Sequence, residues 1–128
     1  MNIKTIAICA YRDWAIKTYI NLQELFPSIN FILIKSEDEF ISLEKESKLP
    51  KLIFCIGWSS VIASDIVKEK IILGVHPSDL PDYAGGSPIQ NQIINGISNS
   101  KMTLFKLSEE LDSGPYLSKL PLSLDGHI

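Results

Sequence analysis

Short apolar runs alternate with segments of helical spacing along most of the chain. Runs of consecutive apolar residues bounded by polar ones are typical of strands buried on both faces. The predicted strands cover residues 6–10, 31–34, 52–58, 71–75, 102–107 and 116–122.

The segments between these strands predict helices. Ser36 and Glu39 form a capping box, since a hydroxyl and a carboxylate at this spacing can satisfy each other's amides at a helix start. Pro88 predicts the start of another helix, where a missing amide hydrogen costs nothing. The predicted helices cover residues 13–26, a segment through 40–43, residues 64–69 and a segment from Pro88 to Gly96.

Strands and helices in this alternation indicate an α/β fold, with a mostly parallel sheet covered by helices on both faces. The length of 128 residues indicates one domain. In such sheets ligands bind beyond the carboxyl ends of the strands. Residues 11–14, 57–62 and 76–87 leave strands at that edge, so we expect a binding site built from these three loops. The chain lacks G-x-G-x-x-G after the first strand and lacks a P-loop, which disfavours a dinucleotide or triphosphate site.

Composition and charge narrow the classes of function. The chain is 45% hydrophobic and 21% charged, which is ordinary for a globular protein, and its net charge of −3 excludes a strongly basic nucleic-acid surface. We expect a cytoplasmic protein, because the sequence has neither a spanning apolar stretch nor a signal peptide. Cys9 and Cys55 lie inside apolar runs, which predicts reduced core cysteines.

Few residues could perform chemistry at the predicted edge. His76 follows a buried strand there. Asp112 lies in a Gly-Pro turn, where it either caps the turn or pairs with His76. His76 and Asp79 offer two metal ligands but the sequence shows no third, so we predict no metal.

An aromatic and basic segment follows the first predicted strand. Tyr11, Arg12 and Trp14 either stack on and pair with a nucleotide-sugar or form a helix start with Trp14 in the core. Both interpretations stay open from the sequence.

Three motifs occur in a specific order. They are His-Pro-Ser-Asp-Leu-Pro at 76–81, Gly85 with Pro-Ile-Gln at 88–90, and Leu-Asp-Ser-Gly-Pro at 111–115. With these motifs the chain resembles the folate-dependent formyltransferases, most clearly over residues 53–115. That group includes methionyl-tRNA, glycinamide ribonucleotide and sugar N-formyltransferases. The resemblance implies a Rossmann-like three-layer sandwich over residues 1–128, a catalytic domain that is short at its C-terminus.

The resemblance also implies a reaction and a site. An amine attacks the formyl carbon of 10-formyltetrahydrofolate, and placed donors stabilise the resulting oxyanion. The implied catalytic residues are His76 and Asp112. The implied folate-binding residues are Trp58, Ser60, Val61, Ile62, Glu110, Leu111 and Asp112, and the predicted substrate-binding residues are Tyr11, Arg12, Trp14, Ser78, Gly85 and Gly86.

One departure from the family pattern concerns Gly74, which stands where the family has an Asn donor. Loss of such a donor typically costs about a hundred- to a thousandfold in rate. We therefore expect Gly74→Asn to raise the rate.

The predicted acceptor is an amino-sugar nucleotide or another small amine. The negative charge, and a length that leaves no room for a second basic domain, disfavour a transfer RNA, so we expect neither a nucleic-acid nor a membrane partner, and allow a homodimer. Two alternatives stay open, a non-catalytic folate- or nucleotide-binding module on the same fold and a formyltetrahydrofolate hydrolase.

Overall fold

A computed structural model of the chain describes residues 4–58, 60–108 and 115–125. The strands are β1 (Thr5–Cys9), β2 (Asn30–Ile34), β3 (Leu52–Cys55), β4 (Ile71–His76), β5 (Asn99–Lys106) and β6 (Tyr116–Ser123). The helices are α1 (Asp13–Leu25), α2 (Glu37–Lys45), α3 (Ser64–Glu69) and α4 (Pro88–Ile94).

The strands form one six-stranded sheet in the order β2-β1-β3-β4-β5-β6. β1 pairs in parallel with both β2 and β3, whereas β5 and β6 pair antiparallel with an irregularity between Leu104 and Phe105. The predicted α/β fold with a mostly parallel sheet of the Rossmann-like kind is therefore confirmed. The antiparallel direction of the last pair was not part of the prediction.

The chain divides into two compact units, Met1–Leu73 and Gly74–Ile128. In the first unit, alternate residues of β1 lie on opposite faces of the sheet. Ile6 and Ile8 pack in a core cluster with α1, and Ala7 and Cys9 on the other face are also fully buried. The buried members of that cluster are Ile6, Ile8, Ala10, Ala15, Phe31 and Ile56.

The predicted helix start at Ser36 is confirmed, but only one of the two hydrogen bonds of the predicted capping box is formed. The Glu39 N–H donates to Ser36 Oγ at 3.1 Å. The Glu39 carboxylate accepts from the backbone N–H of Lys35 at 2.9 Å, one residue farther back than the usual reciprocal bond. The acidic first turn also suits the positive end of the helix dipole.

Several strand ends differ from the prediction by one to three residues. β3 ends at Cys55 instead of residue 58, because the chain turns at Gly57 with a φ of +59°. β4 runs one residue farther, so His76 belongs to the strand. β5 begins at Asn99, since polar residues there pair with β6 and carry no apolar signal.

The two cysteines face each other as register partners on β1 and β3. Both are buried free thiols, which confirms the predicted reduced core cysteines. A hydrogen bond with the Cys55 thiol, together with burial, raises the pKa of Cys9 far above its ordinary value.

No helix in the described part of the chain is long and apolar enough to cross a membrane.

Candidate functional site

Two of the three predicted loops meet within the first unit. The Ile56 N–H donates to the Cys9 carbonyl at 3.0 Å, so the chain leaves β1 and β3 side by side. The rings of Tyr11 and Trp58 lie 5.7 Å apart, tilted by 59°. The Arg12 guanidinium carbon lies 5.3 Å from the centre of the Tyr11 ring. We call Tyr11, Arg12, Trp14 and Trp58 the Tyr11 cluster.

Trp14 lies against the backbone of Gly57. A Cβ at position 57 would lie 2.7 Å from the Trp14 ring, and the φ of +59° is also one that glycine adopts most readily. The Trp14 side chain nevertheless stays 58% exposed. The helix start that the second interpretation included is confirmed, because α1 begins at Asp13, but its placement of Trp14 in the core is wrong.

The loop after β3 offers backbone groups to a ligand. Ser60, Val61 and Ile62 belong to neither a helix nor a strand, so secondary structure does not take up their amides and carbonyls. Val61 is 90% exposed. The folate contacts that the resemblance implies for these three residues stay a prediction.

His76 is the last residue of β4, in the second unit, and its side chain is almost fully buried. Its Nε2 lies 2.8 Å from the carbonyl oxygen of Tyr83. A carbonyl oxygen only accepts, so the geometry assigns a proton to Nε2. The structure thus holds the imidazole in one orientation and one protonation pattern at that nitrogen.

Buried polar side chains hold the segment that follows His76, which we call the 77–83 loop. The Ser78 hydroxyl donates to the Asp82 carbonyl at 2.6 Å, and the Thr103 hydroxyl donates to the Ser78 carbonyl at 2.6 Å. Ser78 and Thr103 are both fully buried. Ser78 therefore shapes the loop from inside, and its predicted contact with substrate stays a prediction.

Gln92 fastens the same loop to α4 and β5. Its amide donates to the carbonyls of Pro77 at 2.8 Å and Pro88 at 2.9 Å, and its carbonyl oxygen accepts from Ser100. Only 2% of Gln92 is exposed. A buried amide that uses both its donors and its acceptor is a directional brace.

The glycines before α4 lie in an open segment. A Cβ at Gly85 or Gly86 would meet no atom within 4 Å among the described residues, and Gly85 has a φ of +91°. Pro88 begins α4 as predicted, and Gly96 ends it in a Schellman motif, with Gly96 N–H to Ile93 and Ile97 N–H to Gln92. The predicted role of Gly85 and Gly86 in substrate binding stays a prediction.

The space beside Gly74 is filled by aromatic and aliphatic side chains of the second unit. A Cβ at Gly74 would lie 2.8 Å from Phe105 Cζ and 3.1 Å from Leu107 Cδ1. Phe105 is itself buried, so its ring has little room to give. Gly74→Asn therefore needs a smaller residue at position 105 before it can test the missing donor.

Asp79 is engaged by a lysine of β6. Lys119 Nζ contacts the Asp79 carboxylate and donates to the Leu80 carbonyl at 2.7 Å. The Lys119 hydrogen bond, together with the charges of Lys119 and Lys101, lowers the pKa of Asp79 against a smaller opposing effect of burial. The carboxylate that could have joined His76 in holding a metal is thus paired with an ammonium group.

Several predicted residues lie outside the described part of the chain. They are Glu110, Leu111 and Asp112. The predicted pairing of Asp112 with His76 and the predicted folate contacts of Glu110 and Leu111 therefore stay predictions.

Sequence reasoning missed Tyr83, Gln92 and Thr103, the residues that hold His76 and its loop. Thr103 carried a usable signal, since it is a polar residue inside an apolar strand run. Gln92 and Tyr83 carried none, because a glutamine on a short helix and a tyrosine in a loop both look ordinary in a sequence.

Comparison with known proteins identifies the family. The family model described as formyl transferase matches residues 34–125. Methionyl-tRNA formyltransferase of Rickettsia prowazekii (strain Madrid E) is 33% identical over 93 residues, which cover 71% of this chain and 30% of that protein. The chain thus spans about a third of the length of this curated relative.

Solved structures agree on the fold. Methionyl-tRNA formyltransferase from Clostridium thermocellum matches with a TM-score of 0.88 and 30% identity, over 97% of this chain and 55% of that one. HypX from Aquifex aeolicus in complex with tetrahydrofolic acid shares the fold at 21% identity and a TM-score of 0.74, over 92% of this chain and 21% of that one. Because the family model matches most of the sequence and these structures share its architecture, the chain belongs to the formyl transferase family.

Proposed function

We propose that this chain transfers a formyl group from 10-formyltetrahydrofolate to a primary amine. Membership of the formyl transferase family supports the reaction class. The observation that carries the proposal is His76, a buried imidazole at the end of β4 whose Nε2 proton is fixed by the Tyr83 carbonyl. An oriented donor in a site shielded from water is what acyl transfer requires, because negative charge develops on the acyl oxygen.

The bound donor supplies a formyl carbon that an amine nitrogen can attack, with a folate nitrogen as leaving group. His76 stabilises the negative charge on the formyl oxygen by donating a hydrogen bond from Nδ1, because its Nε2–H is already donated to the Tyr83 carbonyl. Asp112 accepts the proton that the attacking amine loses and returns it to the departing nitrogen. One C–N bond forms and one breaks, and the proton is conserved.

The loop of Ser60, Val61 and Ile62 holds the pterin through its backbone in this proposal, and Trp58, Glu110 and Leu111 are the other proposed folate contacts. The exposure of Val61 and the irregular backbone of the loop support this assignment. Backbone groups recognise the hydrogen-bonding edge of a heterocycle without adding a charge.

We propose an amino-sugar nucleotide or another small amine as the acceptor. The Tyr11 cluster supports this choice, because exposed aromatic rings and a guanidinium group suit a base and a phosphate. A second candidate acceptor is methionyl-tRNA, which the names of the relatives favour. An assay that offers both acceptors to the same preparation distinguishes them.

The first test is formyl transfer with 10-formyltetrahydrofolate by wild type, His76→Ala and His127→Ala. We expect His76→Ala to lower kcat by about a hundredfold or more, the usual cost of removing a donor to the oxyanion. The other histidine serves as the matched control. Equal turnover of wild type and His76→Ala, with unchanged circular dichroism, would contradict the assignment of His76.

The second test is calorimetric titration with 5-formyltetrahydrofolate. Val61→Pro removes one backbone N–H and Val61→Ala retains it, so the pair separates backbone from side-chain effects. We expect Val61→Pro to weaken binding by about threefold to tenfold, the worth of one hydrogen bond, and Val61→Ala to leave it unchanged. Folate binding without transfer to either acceptor would favour the non-catalytic module, and formate release without an acceptor would favour the hydrolase.

A further inference from the structure

Tyr83 has an unusual backbone for its residue type. Its φ of +56° lies in the left-handed region. Bulky residues with a side-chain Cβ rarely adopt it, because the Cβ then crowds the carbonyl group. Such outliers persist only where the surrounding structure holds them, and they concentrate at functional sites.

Two hydrogen bonds hold Tyr83 in place, and they leave from different parts of the residue. Its carbonyl oxygen accepts from His76 Nε2 at 2.8 Å. Its hydroxyl accepts from Asn95 Nδ2 at 2.8 Å. The tyrosine therefore connects the C-terminal end of α4 to the imidazole through its own backbone.

The direction of the Tyr83 carbonyl depends on its left-handed backbone. Rotation of φ to an extended or right-handed value would swing that carbonyl away from His76. The preceding residue is already fixed, because the Asp82 carbonyl accepts from the buried Ser78 hydroxyl at 2.6 Å. The backbone conformation of residue 83 therefore determines where its own carbonyl group points.

We propose that Tyr83 is a positioning residue for His76, which holds the imidazole proton on Nε2 and fixes the plane of the ring. The structural part of this inference stands on the contacts of Tyr83 alone. Its catalytic consequence rests on the proposed formyl transfer.

Two substitutions separate backbone from side chain. Tyr83→Gly and Tyr83→Val both remove the ring and the hydroxyl, but glycine adopts a positive φ readily and valine resists it. The readout is the pair of imidazole ¹⁵N resonances of His76 in the full chain, assigned by their loss in His76→Gln. These resonances report which ring nitrogen carries the proton, independently of activity.

We expect wild type and Tyr83→Gly to show His76 protonated at Nε2, and Tyr83→Val to show a mixture of the two tautomers. Formyl transfer should follow, with kcat lowered tenfold or more in Tyr83→Val, lowered by less in Tyr83→Gly, and KM for the folate donor unchanged. If Tyr83→Val fails to fold, Tyr83→Ala replaces it, since alanine also disfavours a positive φ. Tyr83→Asn, which tolerates that conformation, should then restore the wild-type pattern.

Identical tautomers in the glycine and valine (or alanine) variants would overturn the positioning role. A tautomer that depends on residue 83, in a wild type without formyl transfer, would support the positioning role and contradict the proposed function. Transfer by wild type with kcat equal in the glycine and valine variants would contradict the catalytic consequence of the positioning and leave the function intact.

Discussion

The core around β1 and the 77–83 loop are held by different forces. Around β1, apolar side chains on both faces of the strand are buried, and their attraction has no preferred direction. In the loop, carbonyl groups of Pro77, Ser78 and Asp82 each meet a polar side chain. The first region can exchange one apolar residue for another of similar size, whereas the second requires particular donors at particular angles.

The difference matters for chemistry. An apolar core stabilises the fold but tolerates the exchange of one apolar side chain for another. Hydrogen bonds from buried polar side chains instead fix the positions of backbone atoms. His76 ends the buried strand β4 and directly precedes the 77–83 loop. Rigid support on both sides is what a placed donor needs.

The largest effect should come from truncation in the apolar core. Ile8→Ala removes a fully buried side chain and leaves a cavity, and we expect the free energy of unfolding to fall by about 2–5 kcal/mol. Ile20→Ala on the exposed side of α1 is the matched control, with a change within about 0.5 kcal/mol. Urea unfolding measures both, and equal losses would contradict the described core.

The next effect should come from overpacking at Gly74. Gly74→Ala places a Cβ against the Phe105 ring, and we expect a loss of about 1–3 kcal/mol. Phe105→Leu should relieve part of that loss, so the double variant should be more stable than the sum of the single changes predicts. Additive losses would show that Phe105 does not occupy this space. Gly74→Asn in the Phe105→Leu background then tests whether a donor raises the rate.

A smaller and more local effect should follow loss of the Gln92 hydrogen bonds. Gln92→Leu keeps the volume and removes the donors to Pro77 and Pro88, so we expect a loss of about 1–3 kcal/mol. Amide exchange should accelerate in the 77–83 loop and not in β1. Gln90→Leu on the exposed side of α4 is the control. Equal acceleration of amide exchange in the 77–83 loop and in β1 would contradict the stated difference between the two regions.

The smallest effect should come from the exposed ion pair of Asp79 and Lys119. The folded state lowers the Asp79 pKa, so the pair stabilises the protein above the ordinary aspartate pKa of about 3.9 and loses that effect as the pH falls through the lowered value. We expect Asp79→Asn to move the urea midpoint at pH 7 by a fraction of the Gln92→Leu shift, and the gap from wild type to close in acid. Asp125→Asn is the control. A difference in urea midpoint between Asp79→Asn and wild type that grows in acid would contradict the predicted lowering of the Asp79 pKa.

The apolar pattern predicted every strand and helix of the described chain to within a few residues, because burial imposes a period that a sequence displays. Position at the end of a strand also singled out His76. The same reasoning could not predict Tyr83, since a left-handed tyrosine contradicts its own local preference and depends on His76 and Asn95. The pairing of β5 with β6 was equally hidden, because residues such as Asn99 and Lys101 join the strand through backbone hydrogen bonds alone.

The buried thiols have a practical consequence for spectroscopy. Cys9 and Cys55 are the two cysteines of the chain, both are buried, and the pKa of Cys9 is raised, so the reactive thiolate is scarce. A cysteine introduced at the exposed Val61 position should therefore react selectively with a maleimide dye under native conditions. A change in the fluorescence of the labelled protein would report ligand binding at the loop after β3, and neither native cysteine would have to be removed.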